Sequence, residues 1–124
     1  MAAQVGSGNV EVVIDGKDFV LVPTAGAAQG ISRAYGGLRG AINLVSALDL
    51  DAITRVIQLG LGPKAVKELG GNDKLGDLVW RSGLSDNTSQ MVVKCIEYIT
   101  VLTNGGRPVT PAGEEDEETG KDPQ

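Results

Sequence analysis

The stretch Asn9–Thr24, NVEVVIDGKDFVLVPT, decides how this chain begins to fold. Apolar side chains recur at every second position from Val10 to Ile14, which places them on one face of an extended strand. The pair Asp15-Gly16 tolerates the positive φ angles of a tight turn. The β-rich run Phe19–Val22 follows at once. The stretch therefore predicts a β-hairpin over residues 9–22.

Most of the chain after the hairpin is predicted to be helical. Pro23 lacks the amide hydrogen that would continue the strand pairing, and Thr24 is a good helix N-cap. Apolar residues then recur at three- to four-residue spacing between glycine-rich breaks. The predicted helices are 24–35, 38–48, 50–59, 63–69, 73–82 and 87–103. Asp49 is the expected cap of the third helix, and Ser85 or Asp86 that of the last. The predicted class is α+β, mostly α: an N-terminal two-stranded hairpin followed by four to six short helices.

Charge divides the 124 residues into a neutral body and an acidic end. Residues 113–124 hold six of the sixteen acidic residues and one of the eleven basic ones, so ten of each remain elsewhere. We expect a flexible N-terminus over 1–8, one folded domain over 9–104 and a disordered acidic tail over 105–124. The neutral body has no basic stripe for nucleic acid. No apolar run is long enough for a membrane, and a single cysteine suits a reducing cytoplasm.

The residue types argue against catalysis. The chain has no histidine, which removes the commonest general base and most transition-metal sites. Cys95 falls among the apolar positions of the last predicted helix and is expected in the core. Asp49 and Asp51 are better explained by a helix start than by paired catalytic carboxylates. We therefore predict no enzyme activity, no cofactor and no metal site.

Protein binding is the alternative that the apolar pattern favours. The helix 87–103 has more apolar positions than one thin core can cover. Beside its main stripe lie Met91, Val93, Tyr98 and Val101, which we predict to bind a partner or a second copy of the chain. Trp80 is expected in the core, pinning the helix 73–82, although a single tryptophan can also anchor an interface.

Three segments, taken in order, resemble one family. VEVVIDGKDFVLVPTAGAA, LDLDAITRVIQLGLG and LVWRSGLSDNTSQMVVKCIEYITVLTNGGRP are similar to the opening hairpin, a short middle helix and the closing helix of the tail assembly chaperones of long-tailed bacteriophages and gene transfer agents. The likeness covers about Val10–Pro108, and the order and spacing of the segments carry it.

The resemblance implies a non-enzymatic protein of the host cytoplasm. It would hold the tape-measure protein, a long helical chain, during tail assembly and be absent from the finished particle. Two alternatives remain at this point. One is a structural component of the tail, such as a tube or connector subunit. The other is a regulatory adaptor whose acidic tail occupies a basic surface of another protein.

Overall fold

The structure, a computed structural model, describes residues 8–86 and 90–108. Its elements in chain order are β1 (Val10–Ile14), β2 (Lys17–Leu21), α1 (Ala25–Tyr35), α2 (Leu38–Ser46), α3 (Leu50–Leu61), α4 (Pro63–Glu68), α5 (Asn72–Ser82) and α6 (Met91–Thr103). The predicted fold class is confirmed, because an N-terminal hairpin is followed by six helices in the described part of the chain.

The hairpin forms as its sequence predicts. β1 and β2 are antiparallel, with Val10 opposite Leu21 and Ile14 opposite Lys17. Asp15 and Gly16 form the turn, with φ values of 56° and 76°. Positive φ at both turn residues gives the backbone twist that matches two right-handed strands. The register therefore directs one face of the hairpin toward the helices.

Two of the predicted helix caps are confirmed. The hydroxyl of Thr24 accepts a hydrogen bond from the amide of Ala27 (3.0 Å), and the carboxylate of Asp49 accepts one from the amide of Ala52 (2.9 Å). Each bond satisfies an amide that has no partner within its helix. α2 ends at Ser46, earlier than predicted. Leu48, the last residue of the predicted helix 38–48, has a φ of 66° and is exposed, so it does not belong to α2.

The start of the last helix also differs from the prediction. α6 begins at Met91 rather than at residue 87, and Gln90 precedes it in a left-handed conformation without a side-chain cap. The amide of Gln90 donates to the carbonyl of Asp86 (2.7 Å). Neither Ser85 nor Asp86 caps α6, because both lie too far before its first turn. Residues 87–89 of the predicted helix lie outside the described residues.

A few residues of each predicted tail lie against the folded body. Gly8 is buried, and a Cβ there would lie 2.9 Å from Cγ1 of Val101 and would collide with the carbonyl oxygen of Gly106. The amide of Gly106 donates to the carbonyl of Val101 (2.9 Å), which continues the ordered chain beyond α6. Gly8 and residues 105–108 therefore lie against the folded body, and the predicted boundaries at 8 and 105 stay predictions. The rest of both tails lies outside the described residues.

The core lies between the inner face of the hairpin and the helices, and α3 and α6 both contact the hairpin. The side chains that α3 directs inward, those of Ile53, Val56 and Ile57, are all buried. Val22, just after β2, joins the layers: its amide donates to the carbonyl of Gly60 (2.9 Å), and its carbonyl accepts from the Tyr98 hydroxyl (2.7 Å). The hairpin is thus hydrogen-bonded to both central helices.

Candidate protein-binding surface

α6 directs most of its apolar side chains into the core. Met91, Tyr98 and Val101, predicted as apolar positions left over for a partner, are buried within the monomer. The prediction underestimated the core because α6 contacts β1, α1, α2 and α3 and so needs a broad apolar arc. In the free monomer these three side chains are therefore not available as a docking surface.

Val93 differs from the other three residues. Its side chain is 60% exposed on the first turn of α6. Val93 lies two residues from both Met91 and Cys95, which are buried, and two residues turn a helix by about 200°. Val93 therefore points away from the core, as the prediction of a partner-binding role requires.

Trp80 is 61% exposed, so the expectation that it pins its helix to the core was wrong. α5 packs through Leu75 and Val79, which lie one above the other on the same helical face. Trp80 comes one residue later, about 100° around the helix, and is directed to solvent. Among the described residues, Trp80 and Val93 are the most exposed large apolar side chains. We call them the exposed apolar pair.

The two residues lie on consecutive helices that are joined by a short connection. Trp80 is in the last turn of α5, which ends at Ser82 with Gly83 as its C-cap. The amide of Val92 donates to the carbonyl of Leu84 (3.1 Å), and Leu84 and Val92 both pack partly against the core. The start of α6 is therefore hydrogen-bonded to the residue that follows Gly83 after α5.

The charge beside Trp80 is locally balanced. Nε of Arg81 lies 3.2 Å from a carboxylate oxygen of Asp77 on the same helix. Both side chains are mostly exposed, so this ion pair contributes little to stability. It does neutralise the flank of Trp80, which suits an apolar contact rather than an electrostatic one.

The titratable groups of the core are poorly suited to chemistry. Burial raises the pKa of Cys95 to about 12, so its thiol stays protonated and is a poor nucleophile. Burial also raises the pKa of Tyr98, whose hydroxyl donates to Val22 as described above. No group of three or more acidic, cysteine or histidine residues that could hold a metal ion occurs in residues 8–86 and 90–108.

Two open clefts are lined by neither residue of the exposed apolar pair. One, of about 420 Å³, lies between β1 with its turn and the C-terminal half of α5. The other, of about 530 Å³, is mainly lined by α3 and α5. Thr54 contributes to it and carries the one buried side-chain polar atom without a hydrogen-bond partner in the described part. The sequence predicted neither cleft, because the residues that line each cleft are far apart in the chain and come together only in the fold.

No helix among the described residues is long and apolar enough to cross a membrane. Comparison of the chain with protein-family models, with curated proteins and with solved structures gave no match.

Proposed function

We propose that the protein is a non-enzymatic tail assembly chaperone that binds a tape-measure protein during tail morphogenesis. The observation that carries this proposal is the exposed apolar pair. Trp80 and Val93 both lie in the segment Leu78–Pro108, which resembles the closing part of that family, and both remain exposed while the apolar residues beside them in sequence are buried or half-buried.

The physical chemistry of the pair fits this partner. A tape-measure protein presents apolar helical stripes before a tube encloses it, and such stripes are covered by apolar side chains on another surface. Tryptophan combines a large apolar area with few rotatable bonds and is enriched among residues that dominate binding energy. Burying an exposed valine adds about 1.5–3 kcal/mol at most. Trp80 is therefore the expected anchor, with Val93 as a secondary contact.

A binding role also agrees with the buried thiol. Cys95 is enclosed in the core, its pKa is raised, and its sulfur lies 4.0 Å from the carbonyl oxygen of Ile53. With no histidine in the chain, Cys95 has no imidazole to activate it. We propose neither a cofactor nor a metal for this function.

Co-expression with the tape-measure protein of the same gene cluster tests the proposal. We expect more soluble tape-measure protein and a complex that co-purifies at low and at moderate salt, since apolar contacts are weakly screened. Trp80→Ala is expected to reduce the complex strongly and Val93→Ser more weakly. Val20→Ser is the matched control, because Val20 is also an exposed valine but lies on the hairpin.

Two results would count against the proposal. One is the absence of a complex when both proteins are folded. The other is a complex that Val20→Ser weakens as much as Trp80→Ala does. Light scattering of the free protein also tests the predicted homo-oligomer: if the exposed apolar pair joins two copies, Trp80→Ala lowers the measured mass.

The structural-component alternative makes a different prediction about purified particles. A tube subunit normally needs a larger sheet to build its ring, whereas the sheet in the described residues has two strands. Mass spectrometry that finds the protein in stoichiometric amount in finished particles would favour the structural role. The adaptor alternative predicts that deletion of residues 113–124 abolishes function, whereas the chaperone proposal predicts a functional truncation.

A further inference from the structure

The outer edge of β1 carries main-chain groups without partners. Ile14 and Lys17 flank a two-residue turn and form a hydrogen-bonded pair, in which the amide of each residue donates to the carbonyl of the other. The alternation then directs the N–H and C=O groups of Glu11 and Val13 away from β2. In the described part of the chain nothing hydrogen-bonds to these outward groups. They form a short template for another extended chain.

The cleft between β1 and α5 lies beside this edge. Val13 and Leu78 contribute apolar lining to it. Its two walls are joined by a hydrogen bond from the amide of Asp15 to the hydroxyl of Ser82 (3.2 Å), and that hydroxyl in turn donates to the carbonyl of Leu78 (2.8 Å). Its volume of about 420 Å³ lies within the usual range of ligand pockets.

The opposite edge of the hairpin differs in a way that makes β1 the better template. The outward groups of β2 belong to Asp18 and Val20, and neither residue lines the cleft beside α5. The next outward amide along that edge, at Val22, is already bonded to Gly60. An added strand beside β2 would meet helix α3 there, whereas one beside β1 gains a second wall from α5.

Charge selects the kind of chain that fits. Glu11 and Asp15 are exposed acidic residues along this edge, and neither has an ion-pair partner among the described residues. Arg81 lines the cleft, but its guanidinium is paired with Asp77. Asp15 and Asp86 both line the cleft, so its lining is net negative, although the exposed Lys17 follows the turn.

We propose that the cleft between β1 and α5 binds an extended, basic segment of a partner protein, which adds to β1 as a third strand. Up to four main-chain hydrogen bonds join it to Glu11 and Val13. Its apolar side chains contact Val13 and Leu78, and its lysine or arginine side chains lie near Glu11 and Asp15. This is strand addition, which reads backbone geometry first and side chains second. It is independent of the proposed function, because its surface excludes Trp80 and Val93.

Fluorescence anisotropy with a labelled Lys-Val-Arg-Val-Lys-Val-Arg peptide tests the proposal on the full chain. We expect saturable binding that weakens with salt, and no binding of the analogue with glutamate at every basic position. Two further analogues carry N-methyl groups at alternate residues. In one analogue the methyl groups lie along one edge of the extended peptide, and in the other they lie along the opposite edge. One of them should lose binding, because N-methylation removes the donors that pair with β1. Equal binding of both would overturn the proposal.

A proline pair supplies the matched protein variants. Val13→Pro removes an outward donor of β1, and Asp18→Pro removes the equivalent donor of β2, at positions where an edge strand tolerates proline. We expect Val13→Pro to weaken peptide binding at least about tenfold and Asp18→Pro by less than about twofold. The reverse order, or equal effects, would overturn the assignment to β1.

If Val13→Pro does not fold, a second set of measurements tests the proposal. Asp15→Asn keeps the left-handed turn, which asparagine favours, and removes one rim charge. It should weaken the peptide about two- to fivefold at low salt, as expected for one lost charge contact. Hydrogen exchange at Glu11 and Val13 should slow when the peptide is bound. Unchanged exchange at both residues would overturn the proposal. A free protein of doubled mass would also overturn it, if neither Asp15→Asn nor the peptide lowers that mass.

Discussion

Substitution of Gly60 by alanine tests whether the hairpin is packed on α3 as closely as the structure indicates. A Cβ at residue 60 would lie 3.0 Å from both Cβ and Cδ2 of Leu21 and 3.2 Å from Cζ of Tyr98. Both neighbours are fully buried, and the Tyr98 ring is held by the hydrogen bond of its hydroxyl to Val22. Neither neighbour can move away without disturbing the junction between β2, α3 and α6.

The expected magnitude follows from two opposing effects. Alanine in place of a helical glycine stabilises a helix by about 0.5–1 kcal/mol. An extra methyl group forced into a packed core costs about 1–3 kcal/mol. We therefore expect Gly60→Ala to lower the free energy of unfolding by up to about 2.5 kcal/mol.

Gly76 provides the matched control within the same protein. It is also a helical glycine, but a Cβ there would meet only the side chain of Thr54, at 3.9 Å, an ordinary contact. Gly76→Ala should raise the free energy of unfolding by about 0.5–1 kcal/mol. Urea titrations followed by circular dichroism would measure both changes. If the two substitutions stabilise the protein equally, the close packing of Leu21 and Tyr98 against α3 is refuted.

Three further predictions follow from burial, capping and ionisation. Val101→Glu should lower the free energy of unfolding by several kcal/mol, because it buries an unpaired charge. Val93→Glu should change the free energy of unfolding by less than about 0.5 kcal/mol. Equal urea midpoints for the two variants would refute the burial pattern of α6. Asp49→Ala should destabilise the protein by about 1 kcal/mol through loss of the α3 cap, again measured in urea. Because the Cys95 pKa is raised to about 12, the native state keeps a proton that the unfolded chain loses above about pH 8.5. The stability contributed by this group is therefore fully present below that pH, and above it should fall by up to about 1.4 kcal/mol per pH unit toward pH 12. Cys95→Ala should make the fall measured by alkaline urea titrations shallower, and an unchanged slope would contradict the buried thiol.

The hairpin and the helix caps were predictable because their determinants are local. Asp15-Gly16 requires a particular turn, and that turn fixes the register of the strands beside it. Thr24 and Asp49 act on amides three residues away. Such short-range chemistry is fully contained in the sequence. The fold class followed from it together with the spacing of the apolar residues.

The binding surface was harder to predict because burial depends on what packs against each helix. Tyr98 and Val101 resemble surplus apolar positions until α6 is surrounded by the hairpin and three other helices. Trp80 resembles a core residue until the packing of Leu75 and Val79 fixes the rotation of α5. The rotation of a helix by one residue changes which side chain is exposed, and the pattern within a single helix did not determine it.

Quenching of tryptophan fluorescence tests the central claim most directly, because Trp80 is the only tryptophan in the chain. In the free protein, its emission should be quenched efficiently by both acrylamide and iodide. Addition of a tryptophan-free fragment of the tape-measure protein should shift the emission to shorter wavelength and protect it from both quenchers. A Trp80 that is already shielded in the free protein, or one that stays accessible within a complex demonstrated by sedimentation, would contradict the account.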